Sequence, residues 1–360
     1  MTVSSRQLFW MLCSMQVIMT ILLTTSPTIQ LSMRDAWLSA LIAASVGVGI
    51  AFVSAKLSSL YPGKTLVEIS RTLLGKWAGG AVSAVFLLFW VLIYAVILQQ
   101  FTFFISDTIL PLTPSPVIII LMAAVVLYPT LHGVGVIARC CEIIGPIVIA
   151  GVAGPIAMSV TKMHFDRVLP FYANNGLIGI AKGALPAATF LGDCILSMML
   201  IAFVARPDRI IRHSMAGVAI SGLITLLTIL ACLLMFGPEV AANTPYPLLI
   251  LVRTVSIGGI IENIDAIIIA VWIMSIFTKL ALYLFAAGYG ASQLLGMKRW
   301  RIPVAVIAVT GALIALLPTN LVETSIIFPQ KIAVPYLFPV VMVGLPLLLL
   351  SVALFKQGRK

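Results

Sequence analysis

The chain has 360 residues, of which 61% are hydrophobic and only 9% charged, with a mean hydropathy of +1.17. A soluble domain carries about 25% charged residues, so a water-soluble enzyme is excluded. The excess of 22 Lys+Arg over 11 Asp+Glu reads as positive charge on the cytoplasmic loops of a membrane protein, not as a nucleic-acid surface.

The apolar runs are continuous, not alternating, which predicts membrane helices and not a barrel. Ten spans are predicted, at 7–27, 36–57, 80–105, 116–136, 141–161, 184–205, 213–237, 264–289, 303–320 and 335–355. Span one follows Arg6 and lacks a small-residue cleavage site, so it is expected to stay uncleaved. It carries Thr20, Thr24, Thr25 and Ser26 just before Pro27. Such hydroxyls either take over backbone bonds where a helix unwinds or bond back to their own helix.

The loop 58–79 places Leu66, Ile69, Leu73 and Leu74 at helical spacing between charges, which predicts a short interfacial helix. Within it, Gly63-Lys64-Thr65 suggests a phosphate loop. The Walker pattern requires a glycine where Ser58 stands, so an interfacial turn is the better reading. Span three carries Tyr94 near its middle. Gln99 and Gln100 lie nearer its outer end, where interface water is the expected partner. Small residues in spans two and five fit helix packing.

Span six reads LPAATFLGDCILSMML, with Asp193 at its centre flanked by Pro186 and Gly192. Proline removes a backbone donor and glycine weakens the helix, so this span is expected to be interrupted. The loop 238–263 is apolar and broken by Pro245, Pro247 and Gly258-Gly259, and a short helix across the outer mouth is expected. Span eight contains Lys279, 14 residues from Asp265, or about 21 Å of helix, too deep to snorkel. A central lysine costs about 2.5–3.5 kcal/mol on insertion scales, so it should face the interior and meet an acid or a carbonyl. Asp193 is one candidate.

The five cysteines show no paired spacing and the three histidines are scattered, so neither a disulfide framework nor a metal site is expected. No nucleophile triad or nucleotide loop appears, and no enzyme, cofactor or nucleic-acid partner is expected. With the N-terminus inside, cytoplasmic segments hold 15 basic residues and the opposite side 6, which predicts that both termini are cytoplasmic.

Several stretches together resemble the B subunits of bacterial spore germinant receptors, a spore-germination permease family related to amino acid–polyamine–organocation transporters. They are PGKTLVEISRTLLGKWAG after span two, KGALPAATFLGD around span six, FGPEVAANTPYPLLILVRTVSIGGIIENIDAIIIAVW leading into span eight, and the opening SSRQLFW. The resemblance covers essentially the whole chain. It implies a single all-α transmembrane domain of ten helices in a five-plus-five inverted repeat, about 7–161 and 184–355, with helices one and six interrupted. It implies a site for a small germinant, commonly an amino acid, between helices one, three, six and eight.

On that basis the candidate ligand contacts are Thr20, Thr24 and Thr25, then Tyr94, then Phe190, Gly192 and Asp193, and finally Tyr283. Lys279 is the candidate stand-in for a coupling cation. Where the family commonly has Gly-Glu in helix six, this chain has Gly192-Asp193. Residues 18–23 of helix one contain no glycine. Implied partners are the receptor's A and C subunits and the lipid bilayer, in the spore inner membrane. A proton-coupled amino acid transporter remains the rival reading, and a scaffold without a ligand a third.

Overall fold

The computed structural model describes residues 2–169, 176–254, 265–318, 320 and 322–357. Among these the chain is helical, and the one extended pairing is a parallel bridge between Val3 and Val204. Eight helical stretches are long and apolar enough to cross a membrane. The first, Ser5–Ser59, is two helices, α1 (Ser5–Ser32) and α2 (Ala36–Ser59), joined by a turn at Met33–Asp35. The others are α3 (Leu66–Thr108), α4 (Ser115–His132), α5 (Val134–Ser159), the run that begins with α6 (Gly176–Gly192), α8 (Ile210–Phe236), α11 (Asp265–Leu294) and a C-terminal run.

After α6 come a 3₁₀ turn at Asp193–Leu196, the short α7 (Ser197–Leu200) and a second 3₁₀ turn at Ile201–Phe203. Then follow α8 (Ile210–Phe236), α9 (Pro238–Ala242), α10 (Pro247–Arg253) and α11 (Asp265–Leu294). The shorter α12 (Arg301–Ala315) is also apolar. The chain ends in wide π-helical turns over Glu323–Ile327 and Pro329–Gly344, continuing into α13 (Leu345–Gln357).

Burial sorts these helices. In the most apolar window of Gly176–Phe203, 83% of residues are buried, and in that of Ile268–Leu294, 78%; the other stretches range from 28% to 61%. The two runs that carry Asp193 and Lys279 are therefore the interior ones. In α11 every residue from Leu280 to Ala287 is fully buried, as expected of a helix apolar on all sides. It packs against α1, α3, α4, α5 and α12, while α1 packs against α5, α6, α8 and α11.

The short helix expected within 58–79 is present as the first turns of α3. Thr65 caps it in a reciprocal box with Glu68, which satisfies two free backbone N–H groups. Gly63 and Thr65 of the suspected phosphate loop thus serve a left-handed turn and a helix cap. Gly75, at φ 83°, kinks the helix before its long transmembrane part, a conformation glycine adopts without steric cost. Just past the kink a Cβ on Gly79 would stand 2.3 Å from the Ser70 carbonyl oxygen, so the two arms touch backbone to backbone. The loop expected over one mouth contains α9 and α10; its remainder, 255–263 with Gly258-Gly259, lies outside the described residues.

Two expectations need correction. Helix one is not interrupted: α1 is continuous from Ser5 to Ser32. Thr20, Thr24 and Thr25 donate to the carbonyls of Gln16, Thr20 and Ile21, at 2.6, 2.6 and 2.7 Å, so their hydroxyls are satisfied within the turn below. Gln99 and Gln100 are buried rather than at interface water, and donate to the Pro318 and Thr324 carbonyls. Helix six is disturbed where expected, its pitch tightening at Asp193 immediately after Gly192.

The kink gives a direct test. Gly79→Val forces the two arms of α3 apart and should cost about 1–3 kcal/mol, as overpacking does. Gly80→Ala, whose Cβ meets nothing nearer than 3.9 Å, should be neutral or slightly stabilising. Thermal unfolding of the two variants in detergent separates these outcomes.

Candidate functional site

The site grows from the disturbed end of α6. Gln16, midway along α1, donates its amide to the Leu191 carbonyl at 2.8 Å. That satisfies an acceptor next to the change of pitch, where backbone groups lose regular partners. Ser275 of α11 donates to the Ser14 carbonyl at 2.7 Å. The two bonds pin α6 and α11 to the same stretch of α1.

Between them lies the central interaction. Lys279 Nζ stands 2.7 Å from Asp193 Oδ2, with side chains 1% and 6% exposed. Each charge meets the partner it needs away from water. The ammonium also faces two aromatic rings, Phe190 at 5.4 Å and Tyr283 at 5.9 Å from their centroids, within the range of attraction by a ring face. The Tyr283 hydroxyl is buried beside the Asp193 carboxylate.

A cavity of about 30 Å³ adjoins the pair, bounded by Ile93, Ile97 and Gln100 of α3, by Phe190, and by Phe328 and Met342 of the wide-turn segment. It is far below the size of an organic ligand site.

The sequence-predicted residues divide accordingly. Asp193, Lys279, Phe190 and Tyr283 come together as one cluster. Gly192 is buried one residue away, packed towards Met342 and Ile50. Thr20, Thr24 and Thr25 line neither this cavity nor the larger one beside it. Tyr94 is elsewhere: its ring lies on Gly311 of α12, where a Cβ would be only 2.5 Å from it. Gln16 and the segment around Phe328 and Met342 are part of the site but absent from the sequence reading. Gln16, a polar residue in the middle of an apolar span, carried a weaker version of the Asp193 signal; Phe328, between predicted spans nine and ten, and Met342, an ordinary apolar residue of span ten, carried none.

Breaking a buried pair by removing one partner leaves an uncompensated charge and costs about 3–5 kcal/mol. Asp193→Ala and Lys279→Ala should each be destabilised to that degree. The double variant Asp193→Leu/Lys279→Met should lose less than either, because no charge is left buried. Unfolding titrations in mixed micelles measure all three, and strict additivity would show that the two side chains do not interact.

With this geometry in hand, comparison with known proteins places the chain. The family model described as "Spore germination protein" matches residues 2–352. Spore germination protein YndE of Bacillus subtilis (strain 168) is 26% identical over 272 residues, 75% of each chain. Spore germination protein KB of the same organism is 24% identical over 302 residues, 81% of this chain and 78% of that one. Spore germination protein XB of Bacillus anthracis is 30% identical over 189 residues, 52% of each. Among solved structures, the nucleobase-cation-symport-1 family transporter Mhp1, in a closed conformation with bromovinylhydantoin bound, aligns with TM-score 0.65 at 16% identity. That alignment covers 89% of this chain and 73% of the transporter, a likeness of fold. The chain is a multi-helix integral membrane protein with a transporter-like fold and belongs to the spore germination protein family.

Proposed function

We propose that this protein is the membrane subunit of a spore nutrient-germinant receptor. It binds a small germinant, an amino acid in the first instance, and passes a conformational signal to A and C subunits of the receptor. The observation that carries this reading is the Asp193–Lys279 pair, buried beside a small cavity where a central helix changes pitch. A protonatable, displaceable pair at such a point gives a bundle two states that a ligand can bias. The bias is bounded by the ligand's differential affinity for those states.

In this reading Lys279 occupies the place of a coupling cation, so closure needs no sodium. The site is entered from the α9–α10 side, which is the outer face. Both termini are cytoplasmic, and the protein sits in the spore inner membrane. The ten-helix, five-plus-five arrangement belongs to the same reading. Support comes from the eight candidate stretches, since Ser5–Ser59 folds into two helices and α12 adds a shorter one.

The likeness to a transporter fold favours one second reading, a proton-coupled amino acid transporter in which the pair exchanges a proton during alternating access. The two are separable by uptake of labelled amino acids into proteoliposomes under a pH gradient. The receptor reading expects no accumulation above the gradient-free control.

The direct test is germination of spores that carry variants in the native receptor. Asp193→Leu/Lys279→Met should accumulate in the membrane and fail to respond to nutrient. If Asp193→Ala and Lys279→Ala both accumulate normally and still respond, the ion pair is not the switch.

A further inference from the structure

The small cavity at the ion pair is separated by a thin wall from a larger one. The larger cavity has a volume of about 430 Å³, within the range of small-molecule sites. It lies between the second half of α1, the chain joining α9 to α10, and the wide-turn segment after α12. Phe190 and Pro329 line both cavities and form the wall.

The chemistry of the larger cavity differs from that of the ion pair. Its polar side chains include Ser26, Gln30, Asn243, Tyr246, Ser325 and Gln330, and no Asp, Glu, Lys, Arg or His is among its described lining residues. Ser26 and Gln30 both donate to the Ala242 carbonyl, at 2.6 and 2.7 Å. Those bonds tie α1 to the end of α9 and hold the cavity open at a fixed width. The Ser325 hydroxyl is buried without a hydrogen-bond partner, and serine can both donate and accept. Tyr246 is braced by an edge-on contact with Phe104 at 5.4 Å. Burial, and then the nearby Asp107 carboxylate, push the pKa of its hydroxyl up; Asp107 itself does not line the cavity.

A charged solute here would give up water and find no opposite charge, which is costly. A neutral solute would find donors and acceptors on three sides and apolar surface from Leu22, Pro186 and Phe190.

We propose that this cavity is a binding site, distinct from the ion pair, for an uncharged small solute bearing hydroxyl or amide groups. The proposal rests on the reading of the protein as a nutrient-binding subunit and names the ligand class that reaches the wall first. A bound solute presses on Phe190, whose ring centroid is 5.4 Å from Lys279 Nζ. Occupancy is thereby sensed at the ion pair without any charge being exchanged.

The test uses the purified full chain in nanodiscs with Gln330→Cys as reporter. Cys140 is the one native thiol that is not buried, so the parent chain sets the background. Labelling by a water-soluble maleimide is followed with matched neutral and anionic solutes: glucose and gluconate, nicotinamide and nicotinate, uracil and orotate. At ten times its dissociation constant a neutral solute should slow labelling about tenfold, and its anionic partner should not. The protection should persist in Asp193→Leu/Lys279→Met. Equal or stronger protection by the anions, no protection by any neutral solute, or protection lost in the double variant would each overturn the proposal. Asn243→Cys serves as reporter if Gln330→Cys does not fold. Germination assays keep the two readings apart: flat protection alongside a germination defect in the ion-pair variant removes this site and leaves the receptor reading standing.

Discussion

Two opposite charges buried deep in a mostly apolar bundle impose the constraint on which the rest of the structure turns. Neither Asp193 nor Lys279 can be left alone in the interior, because an isolated buried ion costs several kcal/mol after relaxation. The pair at 2.7 Å therefore fixes the relative height and rotation of α6 and α11. The surrounding details serve that placement. Gln16 occupies the carbonyl of Leu191, Ser275 holds α11 to α1, and Phe190 and Tyr283 offer ring faces to the ammonium. A hydrophobic pair of similar volume would hold the helices as well or better. What the charges add, in the proposed receptor, is a contact that a ligand could separate.

The same economy governs the hydroxyl groups. Most serine and threonine side chains in the spans bond to a carbonyl three or four residues back, as Thr20, Thr24 and Thr25 do. They are neutral in the bundle and leave α1 intact. Only a few reach another helix, and those contacts, such as Ser39 to Ile180 and Ser275 to Ser14, mark where helices must keep register.

Much of this was legible in the sequence, for reasons that differ by residue. Asp193 and Lys279 stood out because an ionisable group inside an apolar run has no inexpensive position except the interior. Their pairing, however, depends on two helices 86 positions apart in sequence, and composition carries no information on that distance. The disturbance of helix six followed from Pro186 and Gly192. The same argument failed for helix one, where Pro27 lies near the end of α1 and the hydroxyls bond within the helix. Tyr94, expected among the ligand contacts, lies against Gly311 of α12 instead, because the side of a buried helix cannot be read when every side is apolar. The α3 kink was legible only as a loop with amphipathic spacing; its tightness comes from Gly75 and Gly79 acting across space.

The far end of α11 has a bearing on how a change at the ion pair leaves the protein. Arg71, on the short arm of α3, donates to the Gln293 and Leu294 carbonyls at the last turn of α11, and Lys356 of α13 donates to the Leu73 carbonyl on the same arm. From Lys279 to Leu294 is 15 residues, about 22 Å of continuous helix. A helix of that length behaves as a stiff rod, so a twist at one end arrives at the other with little loss. In the proposed receptor, the arm and α13, tied to that last turn, would shift with it. Trp77, just past the kink and 88% exposed, stands at the elbow.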